Sequence, residues 1–199
     1  MRKRRIIITM GDPAGIGPEV VAKALQHKSV RESAEFTVLG NIRVMRDACR
    51  RLRLPFPFKI TAQGREAVFG SEPCLVEPDK LGNSGVLPGR PSARTGRASL
   101  AYIVMAAHLC LSNQADAMVT GPICKEAIRK AGCRYPGHTE MIADLANAEK
   151  VVMMLAGGGL RVALVTTHCS LAAVPQLATR GEIAGSIMVT YKGLRSFFG

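Results

Sequence analysis

The chain has 199 residues, 47% hydrophobic and 21% charged, which suits one sizeable α/β domain or one domain plus part of another. Its longest apolar run, Val151–Leu160, contains three glycines and falls short of the roughly 18 residues of a membrane helix, so no membrane protein is expected. The net charge of +12 favours an anionic partner, but the excess is scattered over Arg43, Arg46, Arg50, Arg51 and Arg53, and aromatics are only 5%, which leaves no basic-aromatic platform for nucleic acid.

Arg2-Lys3-Arg4-Arg5 precedes three isoleucines, yet Gly11-Asp12-Pro13 arrives before a signal-peptide core is complete, and a cytoplasmic location is expected. Arg5–Met10 is short and β-branched, which predicts a buried first strand. Gly11 to Gly17 then forms a tight loop, and Pro18-Glu19 opens a helix that ends near Leu25 or Gln26. This loop is not a dinucleotide fingerprint, because Val20 replaces the third glycine, and it lacks a Walker lysine.

Phe36–Gly40 reads as a second strand and Asn41–Leu52 as a helix capped by Asn41. Phe58–Ile60 and Cys74–Glu77 are shorter strands, and the Gly, Pro and Ser-rich run from Asp79 to Thr95 is a surface loop of functional length. A helix follows from Thr95 or Gly96 to about Ser112, with Ala98, Ile103, Ala106, Ala107 and Cys110 on one face. The strand Ala115–Thr120 breaks at Gly121-Pro122 and feeds a short helix that carries Lys125. Strand ends of this kind lie at the carboxyl edge of a sheet, where open α/β folds bind ligands, so Lys125 and Asp12 are candidates for an anion site.

Gly137-His138-Thr139-Glu140 marks a loop-to-helix junction. Val151–Ala156 and Leu160–Thr166 flank a glycine trio as a hairpin. Leu171–Val174 runs to a break at Pro175, and a last helix covers Arg180–Phe198.

Of the four histidines, His27 reads as solvated and His108 as a satisfied structural residue inside a helix. His138 and His168 stand at a tight junction and after a strand-ending Thr-Thr, where side chains reach a site. They could share a metal with Asp144 or Glu140, and Cys124, Cys133 and His138 are an alternative zinc cluster of unusual spacing. No C-x-x-C pair occurs among the six cysteines, so reduced structural thiols are expected.

The motifs M-G-D-P-A-G-I-G-P-E-V (Met10–Val20), T-G-P-I-C-K-E (Thr120–Glu126), Y-P-G-H-T-E (Tyr135–Glu140) and V-T-T-H (Val165–His168) closely resemble the 4-hydroxythreonine-4-phosphate dehydrogenase family of pyridoxal phosphate biosynthesis. The resemblance implies an α/β, isocitrate/isopropylmalate dehydrogenase-like two-domain fold, with residues 1–134 as the first domain and 135–199 beginning the substrate and metal domain. It implies that His138 and Thr139 bind the phosphorylated substrate and that His168 is the first of three histidines on a divalent cation such as Zn, Mg or Co. The reaction implied is oxidation of 4-phosphooxy-L-threonine by NAD or NADP with decarboxylation, in a homodimer whose active site is shared between subunits.

The family's other two metal histidines lie in later motifs that do not occur before Gly199, so the chain is expected to be an amino-terminal portion, inactive alone and with an exposed apolar face. Two alternatives stand beside this reading. One is a dehydrogenase of threonate or erythronate phosphate, or a truncated phosphate-binding remnant. The other is a basic nucleic-acid-binding module, which would lose affinity steeply with salt.

Overall fold

Ile6, Ile7 and Ile8 are stiff at χ1 and favour extended backbone, and they form the middle of strand β1 (Arg5–Thr9). In the computed structural model, which describes residues 2–61, 67–78, 81 and 86–198, β1 lies between two parallel neighbours. These are β2 (Glu35–Leu39) and β5 (Ala117–Thr120), with Ile7 opposite Thr37 on one side and Met118 on the other. β3 (Lys59–Ile60) and β4 (Cys74–Val76) extend the sheet beyond β2 in the order β3-β4-β2-β1-β5, all parallel.

Parallel strands need crossovers, and helices supply them. α1 (Gly17–Ala24) and α2 (Lys28–Ser33) join β1 to β2, α3 (Ile42–Arg51) follows β2, and α4 (Ala93–Leu111) leads to β5. Ile7, Val38, Leu39 and Leu75 of the sheet pack with Leu25, Met45 of α3, and Tyr102 and Ala106 of α4 in one core. Phe36 to Leu39 are all buried, as expected for a strand covered on both faces.

α5 (Lys125–Lys130) and α6 (His138–Leu145) both pack on α4. The chain divides into two compact units after Ala146, so the residues from Tyr135 through α6 belong to the first of them.

Two departures from expectation in this unit have clear causes. α2 was not anticipated because none of its residues is buried, so it has no apolar face to signal it. α4 begins at Ala93 rather than Thr95, because Ser92 is the N-cap and forms a capping box with Thr95. The loop expected from Asp79 to Thr95 lies partly outside the described residues.

The second unit holds a hairpin of β6 (Met154–Gly157) and β7 (Leu160–Ala163), with Leu155 opposite Val162. Its two-residue turn has Gly158 at φ 56° and Gly159 at φ 83°, the type I′ geometry that side chains resist. β7 stops short of Thr166. Its partner strand begins only at Met154, and the pairing fades after the bond from Leu164 N to Met153 O.

Pro175 does not break structure as expected. It occupies the first turn of α7 (Val174–Leu177), where its missing N–H would have no intrahelical partner anyway. The last helix, α8 (Arg180–Phe197), starts at Thr179, whose hydroxyl accepts from Glu182 N at 3.2 Å.

Only Ser186 is buried among the described residues of this unit, while Leu171 and Phe197 are 88% and 79% exposed. The exposed apolar surface anticipated from sequence is therefore present. Among the described residues no helix is long and apolar enough to cross a membrane.

Candidate functional site

The strand order reverses at β1. The chain leaves it toward β2, and later crosses back to place β5 on its other side. Loops at the carboxyl ends of these two strands meet at such a switch point, where ligands bind in this class of fold. Here they interlock. Asp12 N donates to Pro122 O at 2.9 Å, and Gly121 N donates to Thr9 O at 2.9 Å. Gly11 has φ 80°, and a Cβ on it would stand 2.2 Å from Pro122 O, so only glycine fits.

Asp12 is 1% exposed, and both its carboxylate oxygens are engaged within the fold. Oδ1 accepts from Ala14 N at 2.8 Å and Oδ2 from Thr95 Oγ1 at 3.3 Å. Its part is to hold the first loop against the start of α4, and Gly89 N adds a bond to Ala14 O at 2.8 Å. Thr95, which carries this contact, was not singled out from the sequence. The Ser92-x-x-Thr95 spacing was the available signal.

β5 passes through Pro122 to Lys125, the exposed first residue of α5. Lys125 lies against the start of α6: its Cε is 4.0 Å from where a Cβ on Gly137 would stand, and Glu140 Oε2 is 3.2 Å from the same point. Gly137 is extended, at φ −164°, so glycine serves here to leave space rather than to permit an unusual turn. As N-cap it offers no side chain, which leaves the first-turn amides of α6 for solvent or a ligand. His138 opens the helix half-buried, followed by exposed Thr139. The fold thus sets Lys125 against Gly137, the residue that precedes His138 and Thr139, and Lys125, His138 and Thr139 were all singled out from the sequence.

The segment entering α6 is clamped by Arg134 and Tyr135, which were not singled out from the sequence, and by Asp144, which was considered only as a metal ligand. Arg134 Nη2 donates to the Tyr135 hydroxyl at 2.7 Å and to Asp144 Oδ2 at 3.2 Å. The Tyr135 hydroxyl also donates to Asp144 Oδ2, and the Arg134 guanidinium sits 4.9 Å from the Tyr135 ring centre. The Tyr135 hydrogen bond, and then Arg134, hold the Asp144 carboxyl below its usual range, while Tyr135, and then Asp144, raise Arg134.

His168 lies in the second unit, exposed and at φ 56°, five residues beyond the end of β7. The Thr166-Thr167 before it does not end a strand as expected, since β7 stops at Ala163. His108 lies inside α4 as expected, and it is exposed there beside Met105 and Ser112.

Among the described residues no group of three His, Cys, Asp or Glu side chains is gathered to hold a metal. Neither the Cys124, Cys133 and His138 cluster nor one built on His138 with Asp144 or Glu140 is formed. One exposed histidine does not make a typical three-ligand site, so the described residues do not by themselves fit a catalytic cation. None of the six cysteines is in a disulfide, and burial pushes the Cys49, Cys74 and Cys110 thiols up.

Comparison with known proteins bears on this arrangement. The profile of the family described as pyridoxal phosphate biosynthetic protein PdxA matches residues 32–199. A 4-hydroxythreonine-4-phosphate dehydrogenase of Geobacter metallireducens is 44% identical over 98% of this chain and 58% of its own length. A D-threonate 4-phosphate dehydrogenase of Cupriavidus necator is 39% identical over 82% of this chain and 49% of its own.

The crystal structure of 4-hydroxythreonine-4-phosphate dehydrogenase from Klebsiella pneumoniae superposes with a TM-score of 0.86 at 32% identity, covering 97% of this chain and 59% of that one. The chain therefore spans about half to three-fifths of the length of these proteins.

Proposed function

The chain belongs to the pyridoxal phosphate biosynthetic protein PdxA family, and on that premise we propose that it serves the oxidation of a phosphorylated hydroxy acid. The substrate proposed is 4-phosphooxy-L-threonine, oxidised at its C3 hydroxyl and decarboxylated to 3-amino-2-oxopropyl phosphate. The observation that carries this reading is the uncapped start of α6, with His138 and Thr139 in its first turn and Lys125 beside Gly137.

In this proposal the phosphate sits on the α6 amides, where the helix terminus favours negative charge. Thr139 and His138 donate to its oxygens, and Lys125 neutralises it as a point charge. Asp12 acts indirectly, by fixing the loop that packs against Pro122. Holding the phosphate anchors the substrate so that its reacting end lies in a repeatable position.

A nicotinamide dinucleotide, NAD or NADP, is the proposed hydride acceptor, and a divalent cation such as Zn, Mg or Co is the proposed metal cofactor. His168 is proposed as one ligand of that cation. Tyr135 onward is proposed to begin the substrate and metal domain, within a cytoplasmic homodimer that shares its active site between subunits and binds no nucleic acid.

NADH formation on 4-phosphooxy-L-threonine, with and without divalent metal, tests the reading. The 199-residue chain alone is expected to bind the substrate and not turn it over, and His138→Ala should weaken binding by about tenfold. Binding unchanged in His138→Ala would remove the proposed phosphate site. A second reading, D-threonate 4-phosphate as substrate, is favoured by the Cupriavidus necator relative. Parallel titration with that compound separates the two.

A further inference from the structure

A groove of about 450 Å³ opens beside α5, lined by Lys125, Glu126, Arg129, Cys133, Arg134, Tyr135 and Pro136. Its charge is unbalanced in a particular way. Glu126, the one acid on its wall, is turned to Lys130 at 2.7 Å. Arg134 is held in plane by the Tyr135 ring and by Asp144, which leaves part of its donor fork free. Lys125 and Arg129 stand at i and i+4 on the same short helix, and neither closes an ion pair among the described residues, although Arg129 also helps to hold the Glu126 carboxyl below its usual range.

Like charges at that spacing weaken a helix, and a six-residue helix has little stability of its own to lose. The arrangement becomes favourable once an anion lies between them. The volume exceeds what a single phosphoryl group fills and falls in the range of small-ligand sites.

We propose that this groove is a second anion subsite, separate from His138 and Thr139, that takes a diphosphate group. Lys125 and Arg129 contact it from α5, and Arg134 contacts it from the segment before α6. Arg129 is the residue peculiar to this subsite, because Lys125 also borders the start of α6 and Arg134 also braces it. The proposal goes beyond the dehydrogenase reading and does not depend on it.

Calorimetric titration of the full 199-residue chain with inorganic pyrophosphate, at constant ionic strength and with orthophosphate in parallel, tests it. Saturable binding is expected, tighter for pyrophosphate than for orthophosphate. Arg129→Gln should weaken pyrophosphate by about tenfold or more, and Arg129→Lys by less, because lysine keeps the charge and loses the fork. Arg97→Gln, which removes an exposed arginine from α4, should change it by less than about twofold.

Amide spectra of each variant establish that it remains folded. The proposal is overturned by absence of saturable binding to the wild type, or by wild-type affinity in Arg129→Gln. It is equally overturned if Arg97→Gln loses as much, since that is counterion condensation on a chain of net charge +12. Pyrophosphate binding lost in His138→Ala and kept in Arg129→Gln would reject the subsite while leaving the α6 site in place.

Discussion

Thr95 Oγ1 donates to Asp12 Oδ2 at 3.3 Å across 83 residues of sequence, and this bond joins the loop after β1 to the first turn of α4. Because Asp12 also accepts from Ala14 N, a single buried carboxylate sets both the internal shape of the loop and its docking. Asp12→Ala leaves a buried amide and a buried hydroxyl without this partner. We expect it to destabilise the chain by about 2–3 kcal/mol, and Asp12→Asn by less, since an amide oxygen still accepts from Ala14 N. Urea midpoints of the two variants check the order, and equal midpoints would reject it.

Gly11 meets Pro122 O more closely than any side chain allows, at a positive φ. Gly11→Ala combines the left-handed penalty with a backbone clash, and a loss of at least ~2 kcal/mol is expected. Thermal melts check this. A variant as stable as the parent would mean that the β1 and β5 loops are not interlocked.

Ser92 and Thr95 bind each other reciprocally at the start of α4, at 3.3 Å and 3.0 Å. Ser92→Ala should cost about 1 kcal/mol, the usual value of an N-cap. Thr95→Val should cost more, because it removes the reciprocal bond and deprives Asp12 of a donor in the same step. A double-mutant cycle between Asp12→Asn and Thr95→Val should show coupling. Strict additivity would refute the contact.

The pH dependence follows from Asp144. The Tyr135 hydroxyl first, and Arg134 second, place its folded pKa below the unfolded value of about 3.9. Its stabilising effect is therefore complete above that unfolded value and is lost as pH falls through the folded one. Tyr135→Phe should move the Asp144 carboxyl titration upward, as followed by carboxyl carbon NMR. An unshifted titration would show that the clamp on the entry to α6 does not exist in solution.

Much of the fold was legible in the sequence where its signals are local. Three isoleucines define β1, Asn41 caps α3 by accepting from Val44 N at 2.9 Å, and the glycine trio turns a hairpin. What escaped were features whose cause is not periodic. α2 buries nothing, Pro175 tolerates the first turn of a helix as readily as a loop, and the end of β7 depends on where its partner strand begins.

For the site, the motifs named His138, Thr139 and Lys125 one by one. That Lys125 borders Gly137 was decided by α5 and α6 each packing on α4. The clamp formed by Arg134, Tyr135 and Asp144 was illegible because hydrogen bonds over nine or ten residues leave no spacing rule to read.

By itself, then, the amino-acid sequence determined the α/β class, the glycine-rich loop after β1 and the family, since each rests on residue types in a fixed local order. Only the tertiary structure decided that Asp12 is a buried brace rather than a surface ligand, and that Lys125 borders Gly137. It likewise decided that Arg129 faces a groove shared with Arg134. Those outcomes depend on which strand β5 pairs with and on how closely backbones approach, and long-range packing sets both.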